Sequence, residues 1–431
     1  MPQDFPFPTR IAFEEALAII ERVADARRMP VERVALHRAH GAILARDLVA
    51  GVAQPPFDNS AMDGFALRHA DLHGEGTTLR LVGEQFAGRA LDLAVGAGEC
   101  VRITTGAPLP AGADTVVMKE NTRIEPAGFE HASGGHAIAP GRGDIVAILV
   151  PPSPGQHVRR AGEDTRVGDT VLAAGVPLSP SRLALAASQG LAELEVARRP
   201  TVAVFTTGDE LVEPGMPLAP GQLYNSNREQ LMGLLRADGL DPVAWPTLPD
   251  DPARIESALV HAGHAFDVVL TCGAVSAGEK DHLPALLQAQ GDVHFWKVRM
   301  RPGMPVLFAG GGTLGDALFL CLPGNPVSVL ATYLALARPL LDRLQGRAIP
   351  RPRWRARLAA PWRKAHDRLE FLRGRLHQAD DGRLEVEPNP ADGSHRMRAA
   401  ADSDVLIMLA EGARDYPAGA PVDILPYAER G

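Results

Sequence analysis

The sequence predicts a multidomain protein of the α/β plus β class: a mostly parallel, doubly wound α/β domain, a β-rich domain, a small helical linking domain and a C-terminal β barrel. Three observations lead to this prediction. A chain of 431 residues is too long for one ordinary core and should divide into about three or four domains. Strand-like and helix-like segments alternate between residues 197 and 344. Short strand-like segments separated by turn residues precede and follow that region.

The composition is that of a globular chain, with 45% hydrophobic and 22% charged residues. Its apolar runs are too short to cross a membrane and its N-terminus lacks a secretory apolar core, so we expect a cytoplasmic protein without a membrane partner. A formal net charge of −8 argues against a general nucleic-acid binder. Cys100, Cys272 and Cys321 lie far apart, with neither a disulfide framework nor the spacing of a zinc site.

The N-terminal part predicts two domains, one of them discontinuous. Residues 11–28 carry apolar positions at helical spacing with acids early and arginines late, which suits an amphipathic helix and its dipole. We assign residues 1–50 to a helical linking domain and expect residues 160–196 to complete it, because a Ser-Pro pair there can start a second helix. Residues 51–159 hold short β-branched runs between Gly, Pro and Asp, which predicts the β-rich domain.

The α/β domain is assigned to residues 197–344. Strands and helices of ordinary length alternate there, which predicts a mostly parallel sheet covered on both faces. The predicted strands are 201–205, 242–248, 267–272, 293–300, 305–310 and 317–322, and the predicted helices are 227–239, 252–263, 282–291 and 326–341. In residues 345–431, strand-like runs recur at 354–360, 368–376, 383–388, 404–410 and 422–427, which predicts a small barrel or sandwich.

Three loops are the first candidates for a site, because ligands of doubly wound sheets lie beyond the carboxyl ends of the strands. Each loop combines small residues, which let a ligand approach the backbone, with polar groups. In the third loop Asn325 can cap a helix that starts with Pro326, leaving N–H groups for an anion. Tight turns shaped only by geometry are the alternative. The loops are TTGDEL (206–211) with Gly208, GAVSAGEKD (273–281) with Ser276 and Gly278, and PGNPVS (323–328) with Pro323, Gly324, Asn325 and Ser328.

The strand HFWKVRMRPG adds positive charge. Because side chains alternate along a strand, Lys297, Arg299 and Arg301 should share one face. These cations repel one another unless acids or a polyanion neutralise them. The turn at Pro302 and Gly303 would bring Arg301 near the loops, which favours an anion site over a solvated edge strand.

Acids accompany these cations. Carboxylates opposite bound phosphates usually hold Mg²⁺ or orient water. Asp251 alone has a simpler alternative, as a helix cap before Pro252. The sequence therefore predicts a site for a phosphorylated ligand and a divalent metal, although it contains neither a Walker A motif nor a GxGxxG motif. The acids are Asp209, Glu210, Asp250, Asp251, Glu279 and Asp281.

The stretch FDNSAMDGFA (57–66) places two carboxylates, an amide and a hydroxyl after two prolines. These groups could serve only as local hydrogen-bond acceptors in a surface turn. The residues alone leave that alternative open.

At this point the chain resembles the molybdopterin molybdenumtransferases, a family related to the E domain of gephyrin. The matching stretches occur in family order and span about residues 40–330, with weaker similarity at both ends. They are FDNSAMDGFA, RITTGAPLPAGADTVVMKE, RRAGEDTRVGD, TTGDEL, GAVSAGEKD, FWKVRMRPG and LPGNPVSVL.

The resemblance implies a cytoplasmic homodimer of four-domain subunits that inserts molybdenum from molybdate into adenylylated molybdopterin and releases AMP. It also implies a cleft between the α/β domain of one subunit and the β-rich domain of the other, and a molybdopterin adenylyltransferase as a partner. By this resemblance Asp63 and Thr105 face Glu210, Asp250, Asp281, Lys297 and Arg301 of the other chain, which are the residues of catalysis.

Particular roles also come from the resemblance. Glu210 and Asp281 would hold Mg²⁺ against the diphosphate, and Lys297 and Arg301 would stabilise charge as that bond breaks. Arg373 resembles a molybdate-binding arginine. The ligand-binding residues would be Gly208, Ser276, Gly278, Pro302, Gly303, Pro323, Gly324, Asn325, Ser328 and Arg373.

The chain departs from the family pattern in several places. Arg301 and Met304 stand where relatives usually have lysines, and Ala274 stands where they have glycine. Arg398 and Ala399 occupy a region where relatives offer serine hydroxyls. Two other functions stay open: molybdopterin adenylylation, whose enzyme shares the α/β fold, and a gephyrin-like scaffold. Tungstate in place of molybdate also stays open.

Overall fold

The computed structural model describes residues 6–126, 141–276 and 281–427. The chain forms two compact units. The β unit consists of Asp47–Ala173 and Pro180–Ala192, and the main unit consists of Met1–Arg46, Ala174–Ser179 and Glu193–Gly431. Within the described ranges, no helix has the length and apolar character that a membrane crossing requires.

The N-terminal segment forms the predicted helix, which lies in the main unit. Glu14 and Glu15 lie in its first turn and Arg22 in its last, so its charges complement the helix dipole. Ile19 and Ile20 are buried on its inner face. The elements in this segment are β1 (Thr9–Ile11), α1 (Phe13–Asp25), β2 (Val31–Ala35), a 3-10 turn (Leu36–Arg38) and β3 (Leu48–Val49), the last of which is in the β unit.

The β unit is built on a six-stranded sheet of order β8-β5-β7-β6-β10-β9, and most of its pairs are antiparallel. A Cβ atom at Gly64 in β5 would lie 1.8 Å from the carbonyl oxygen of Val117 in β8, so only glycine fits there. The elements are β4 (Asn59–Ser60), β5 (Gly64–Leu67), β6 (Thr78–Gln85), β7 (Glu99–Ile103), β8 (Thr115–Met118), β9 (Thr122–Glu125), β10 (Ile145–Ile148), β11 (Val158–Arg159), β12 (Thr170–Leu172) and α2 (Pro180–Ser188), with 3-10 turns at His69–Asp71 and Lys119–Asn121.

The α/β region of the main unit contains the predicted alternation of strands and helices. Of the six predicted strands, 242–248 is the one that shrinks most, to two residues. The elements are β13 (Glu193–Ala197), β14 (Val202–Thr206), β15 (Leu211–Val212), β16 (Leu223–Tyr224), α3 (Ser226–Ala237), β17 (Val243–Ala244), α4 (Pro252–Ala265), β18 (Val268–Cys272), α5 (His282–Gln290), β19 (Asp292–Val298), β20 (Met300–Arg301), β21 (Leu307–Gly310), a 3-10 turn (Gly312–Leu314), β22 (Leu318–Leu322), α6 (Pro326–Thr332) and α7 (Arg338–Leu344), the last two joined by a π-helical segment (Tyr333–Ala337).

These strands form a seven-stranded sheet of order β1-β19-β21-β22-β18-β14-β17. The pairs are parallel except β19 with β21 and β21 with β22. Alternate residues of β14 pack on opposite faces: Val204 lies in a core with α1, α3 and α6, and Phe205 in a core with α4 and α5. The prediction of a mostly parallel sheet covered on both faces is confirmed.

The C-terminal region is a closed five-stranded barrel, so the predicted barrel is confirmed. Its strands follow the order β25-β26-β23-β29-β27, and β27 pairs with β25 to close it. Strand β20 adds to the outside of β25, which joins the barrel to the α/β sheet. The elements are β23 (Trp354–Leu358), β24 (Trp362–Lys364), β25 (Leu369–Gln378), β26 (Leu384–Pro388), α8 (Met397–Ala401), β27 (Val405–Leu409), β28 (Arg414–Tyr416) and β29 (Pro421–Pro426).

Candidate functional site

The loops that follow β14, β18 and β22 meet at one edge of the main sheet; we call this region the loop corner. The backbone N–H of Thr207 donates to Cys272 at 3.0 Å, and that of Gly273 donates to Leu322 at 3.1 Å. A Cβ atom at Gly273 would lie 2.7 Å from the Thr207 hydroxyl oxygen, and φ is +98° there, so glycine is required. Backbone hydrogen bonds thus connect the three loops.

Carboxylates line this corner. A Cβ atom at Gly208, where φ is +145°, would lie 2.6 Å from Glu210 Oε2, so the carboxylate of Glu210 folds over that glycine. The N–H of Asp250 donates to Asp209 Oδ1 at 3.0 Å, which brings the loop after β17 to the same place. Asp251 instead caps α4 by accepting from the N–H of Ala253 and of Arg254. The simpler interpretation of Asp251 is confirmed.

The second loop supplies Asp281, which stands at the N-terminal boundary of α5. The N–H of Leu283 in that helix donates to Ala274 at 3.2 Å, so the helix start is tied back to the end of β18. Ser276 is exposed beside this contact. Gly278 and Glu279, which the sequence also assigned to this loop, lie outside the described residues.

The donor atoms of Glu210 and Asp281 suit Mg²⁺, which prefers carboxylate oxygen and is usually held by one or two carboxylates plus substrate phosphates. A protein cage for a metal would need more ligands. Across residues 6–126, 141–276 and 281–427, no three His, Cys, Asp or Glu side chains are grouped so that they could hold a metal ion. Glu210 and Asp281 thus offer the type of oxygen ligand that Mg²⁺ takes, and a metal there would need further ligands from a bound phosphate.

The third loop leads into α6, and here one detail of the sequence prediction is wrong. Asn325 occupies the N-cap position but makes no side-chain cap hydrogen bond. Its Nδ2 donates instead to the Ser394 hydroxyl at 3.0 Å, and the N–H of Val327 donates to the Ser394 carbonyl at 3.1 Å. The loop between β26 and α8 thus takes up a helix N–H that the sequence assigned to an anion. Pro323 and Ser328 are buried, and Gly324 accepts a 2.6 Å hydrogen bond from Asn227.

Lys297 is held beside the loop corner. Its backbone has φ of +72°, which is uncommon for a residue with a side chain, and its Nζ lies 3.9 Å from the centroid of the Trp296 ring. The Trp296 Nε1 donates to the carbonyl of Val275 at 3.0 Å, which fixes the ring against the second loop. Burial, with a smaller effect of Arg10, lowers the pKa of Lys297. Lys297 is therefore a positioned ammonium group.

The two arginines that follow do not extend an unneutralised row of cations. Arg299 pairs with Glu411 at 2.9 Å, and Arg301 lies 3.6 Å from Glu370 and 3.2 Å from Asp392. Acids of the barrel region neutralise both arginines. Neutralisation by acids is one of the two ways, together with a polyanion, in which the repulsion between these cations can be offset. The turn after them packs closely on α6: a Cβ atom at Gly303, which follows Pro302, would lie 2.5 Å from the Cγ2 of Thr332.

Arg373 in β25 is a buried arginine, with 3% of its surface exposed. It donates from Nη2 to the carbonyl of Ala391, and within the described part of the chain its Nε has no hydrogen-bond partner. Its pKa is lowered, first by burial and also by the charge of Arg396, while Tyr427 and Asp392 act in the opposite direction. A buried guanidinium with an unused N–H is suited to an anionic ligand.

Asp63 and Thr105, both in the β unit and far apart in sequence, are brought together. Asp63 Oδ1 accepts from the Thr105 N–H at 2.8 Å and from its hydroxyl at 2.9 Å. These hydrogen bonds, the backbone one first, lower the pKa of Asp63. The carboxylate is thus oriented through Oδ1, and its ionised form is favoured.

Of the other polar groups of FDNSAMDGFA, Asn59 and Ser60 have local roles, whereas Asp58 contacts a distant segment of the chain. Asp58 accepts from the N–H of Ala161 and pairs with Arg160 at 2.7 Å. The Asn59 amide donates to the carbonyl of Phe57 and the Ser60 hydroxyl donates to that of Met62. The turn interpretation therefore holds for Asn59 and Ser60, whereas Asp58 and Asp63 bind groups in distant segments of the chain.

Sequence reasoning missed Asn227, Asp392 and Ser394. Ser394 lies in GSHR, a stretch where the sequence drew attention to Arg398 and Ala399 instead. The structure shows Arg398 94% exposed and paired with Asp402, and Ala399 buried. A polar turn, PADGSHR, between two predicted strands was the available signal for Asp392 and Ser394.

Three family models match the chain in order. They are described as "MoeA N-terminal region (domain I and II)" over residues 11–190, "Probable molybdopterin binding domain" over 203–343 and "MoeA C-terminal region (domain IV)" over 355–427.

Named relatives match along nearly the whole chain. The molybdopterin molybdenumtransferase of Haemophilus influenzae is 38% identical over 398 residues, which cover 92% of this chain and 94% of that protein. Molybdopterin molybdenumtransferase 2 of Mycobacterium tuberculosis is 38% identical and covers 91% and 94%. A crystal structure of the molybdopterin biosynthesis MoeA protein of Pyrococcus horikoshii aligns with a TM-score of 0.79 at 26% identity, covering 97% of this chain and 100% of that one.

Proposed function

The chain belongs to the molybdopterin molybdenumtransferase family, and we propose that it inserts molybdenum from molybdate into adenylylated molybdopterin with release of AMP. It is an enzyme of molybdenum cofactor biosynthesis, a transferase that acts on molybdopterin. The observation that carries the proposed reaction is the loop corner, where carboxylates and backbone groups of separate loops meet beside Lys297. This combination suits a diphosphate that is to be cleaved.

The loop corner would bind the phosphates of adenylylated molybdopterin. Gly324 is exposed and leaves its backbone accessible, and Ser276 offers an exposed hydroxyl, whereas Gly208 is buried and lets the Glu210 carboxylate lie close to the backbone. Pro302 and Gly303 would hold the end of β20 close to the same ligand. The proposal leaves Asn325 and Ser328 as supports of the third loop rather than direct ligands of the nucleotide.

Glu210 and Asp281 would hold Mg²⁺, and Asp250 would orient water or the metal's hydration shell. Bound Mg²⁺ would neutralise charge on the diphosphate oxygens. The chain's own contribution is orientation, because the Gly208 backbone fixes the Glu210 carboxylate and the start of α5 fixes Asp281.

Lys297 and Arg301 would stabilise negative charge as the bond between AMP and the pterin breaks. Fixed charges of this kind act without reorganising at the moment of reaction. The stacking of Lys297 on Trp296 supports this role, because it holds the ammonium in place. Arg301 presents a planar guanidinium instead of a point charge, which favours bidentate binding of an oxyanion.

Arg373 would receive molybdate. Its burial and its unused Nε support this role, because a tetrahedral oxyanion supplies the acceptor that this group needs. Tungstate has the same charge and shape and would compete for the same arginine.

We propose that the chain acts as a homodimer, with Asp63 and Thr105 of one subunit completing the loop corner of the other. The oriented, ionised carboxylate of Asp63 supports this role, because its partner Thr105 leaves one oxygen for a substrate or water. We also propose a cytoplasmic enzyme that receives its substrate from a molybdopterin adenylyltransferase.

The experiment incubates the purified protein with adenylylated molybdopterin, Mg²⁺ and molybdate, and measures both AMP release and active molybdenum cofactor. Molybdate-dependent formation of both is the expected result. Binding of adenylylated molybdopterin without turnover would contradict the proposal and indicate a scaffold. Production of adenylylated molybdopterin from ATP and molybdopterin would instead indicate the preceding adenylylation step.

A further inference from the structure

Arg301 has two carboxylate partners of very different character. Glu370 lies 3.6 Å from Nη1 and its side chain is 4% exposed. Asp392 lies 3.2 Å from Nη2 and its side chain is 54% exposed. Arg301 itself is 40% exposed, and of its two partners Asp392 is the one that solvent reaches.

Glu370 is built into the fold. It is the direct cross-strand neighbour of Arg301 in the pairing of β20 with β25. Its Oε1 lies 3.1 Å from His366 Nε2, and within the described residues its Oε2 has no hydrogen-bond partner. A buried carboxylate that contacts Arg301 through one oxygen can hold the guanidinium in a fixed orientation.

Asp392 is placed differently. It belongs to the loop between β26 and α8, and the same loop contacts α6 through Ser394. The charge of Asp392 also acts on Arg373, the buried arginine next to this loop. One exposed carboxylate therefore pairs with Arg301 and lies directly after Ala391, whose carbonyl accepts from the buried Arg373.

We propose that Asp392 is a positioning residue that occupies the ligand side of Arg301 and gives way to an anionic ligand, while Glu370 keeps the guanidinium oriented for that ligand. The ligand is a doubly charged tetrahedral oxyanion, supplied either by molybdate or by a nucleotide phosphate. The catalytic use of this anion rests on the function proposed above, but its binding does not.

The relative strengths of the contacts support an exchange. An exposed ion pair with a single contact, such as Arg301 with Asp392, contributes little free energy, because water screens the two charges. A dianion that accepts two parallel N–H groups of a guanidinium binds more strongly than one carboxylate oxygen does. The pair with Asp392 therefore competes with the ligand without excluding it.

The first test measures the binding of molybdate and, separately, of AMP to the full-length protein by isothermal titration calorimetry. Asp392→Asn should tighten binding of one of these anions by about two- to fivefold, the range expected when one exposed ion pair no longer competes. Asp423→Asn is the matched control, because it removes an acid of similar type from an exposed pair with Arg355 in the same barrel. Unchanged or weaker binding of both anions by Asp392→Asn would overturn the proposal.

The second test distinguishes two effects of Glu370: its orientation of the Arg301 guanidinium and its negative charge alone. Glu370→Asp keeps the negative charge but shortens the side chain, so the same anion should bind about threefold or more weakly if Glu370 orients Arg301. Unchanged binding in a variant that unfolds at the wild-type temperature would overturn the anchoring role. If this buried variant fails to fold, Asp392→Asn still decides the proposal, because its site is exposed.

The two separate titrations, with molybdate and with AMP, identify the source of the anion. Tightening for molybdate alone assigns the position to molybdate, and tightening for AMP alone assigns it to the nucleotide phosphate. Because binding is measured without turnover, the expected changes in a protein that forms no cofactor would support this inference while refuting the proposed reaction. A protein that forms cofactor, but whose Asp392→Asn variant binds neither anion more tightly, would support the proposed reaction and refute this inference.

Discussion

The loop corner and the barrel arginines hold charged groups by different means. At the loop corner, backbone geometry sets the positions: Gly208 and Gly273 have positive φ, and the N–H groups that follow β14 and β18 bond to neighbouring strands. At the barrel, side chains set the positions: Arg301 lies between two acids, and the buried Arg373 has an Nε without a hydrogen-bond partner among the residues that the structure describes. Under the function proposed above, the first arrangement would hold the acids that take part in the reaction, and the second would let Arg301 and Arg373 receive an anion.

The largest expected effect is at the loop corner. Asp281→Ala should reduce AMP release by about 100-fold or more, because metal and diphosphate lose a fixed carboxylate. Single-turnover assays measure the rate, and gel filtration measures whether the oligomeric state is that of the wild type. Retention of full turnover would contradict the assignment of Asp281 to the metal and the proposed role of the loop corner in the reaction.

Gly208→Ala tests whether the backbone sets the corner. The added Cβ would meet the Glu210 carboxylate at 2.6 Å, and misplacing a catalytic group by about 1 Å can reduce the rate by about 100-fold. Gly215→Ala is the matched control, since φ is +95° there and no atom lies within 4 Å of the added Cβ. Equal losses in both variants would show that backbone strain, and not the position of Glu210, is responsible.

Arg373→Gln tests the barrel side of the comparison. The molybdate concentration needed for half-maximal turnover should rise about tenfold, the effect of one charge-assisted hydrogen bond. Thermal stability should be unchanged or higher, because a buried charge without a carboxylate partner is costly to the fold. A loss of stability with unchanged molybdate dependence would make Arg373 a structural residue.

A pH profile tests the role of Lys297. Burial lowers the pKa of its ammonium group, so the charged form is lost at a lower pH than for an ordinary lysine of pKa 10.5. If charged Lys297 is needed, the rate should fall on the alkaline side, starting below that value. Lys297→Arg should keep its charge and move this limb to higher pH, and an identical limb in both proteins would assign the titration to another group.

The smallest effect should come from Asp251, which caps α4. Asp251→Ala should lower the free energy of unfolding by about 1 kcal/mol through loss of the cap, with little change in turnover. Denaturant titration and the AMP assay measure the two quantities. A large loss of turnover would extend the catalytic acids of the loop corner to Asp251.

The sequence predicted best what depends on local pattern. The alternation of strands and helices, the five barrel strands and the edge at which the small-residue loops lie could all be read from periodicity and turn residues. Asp63 and Thr105 could be joined only through the family resemblance, because no local pattern relates residues so far apart.

Side-chain partners that come from distant segments could not be predicted. The pairing of Arg301 with Glu370 depends on the register between β20 and β25, which no local signal specifies. The redirection of Asn325 from a cap to Ser394 depends on where the barrel loop meets α6. The predicted boundaries of the four domains, the homodimer and the individual catalytic roles stay predictions.

The most direct test of the account mixes two inactive variants. Asp63→Ala and Asp281→Ala are each expected to release almost no AMP, and they are unfolded and refolded together before the assay with adenylylated molybdopterin, Mg²⁺ and molybdate. If each site combines Asp63 of one subunit with Asp281 of the other, mixed dimers contain one intact site, and activity should return to about a quarter of the wild-type level for random pairing. A mixture that stays inactive while wild-type protein treated identically forms cofactor would contradict the shared site.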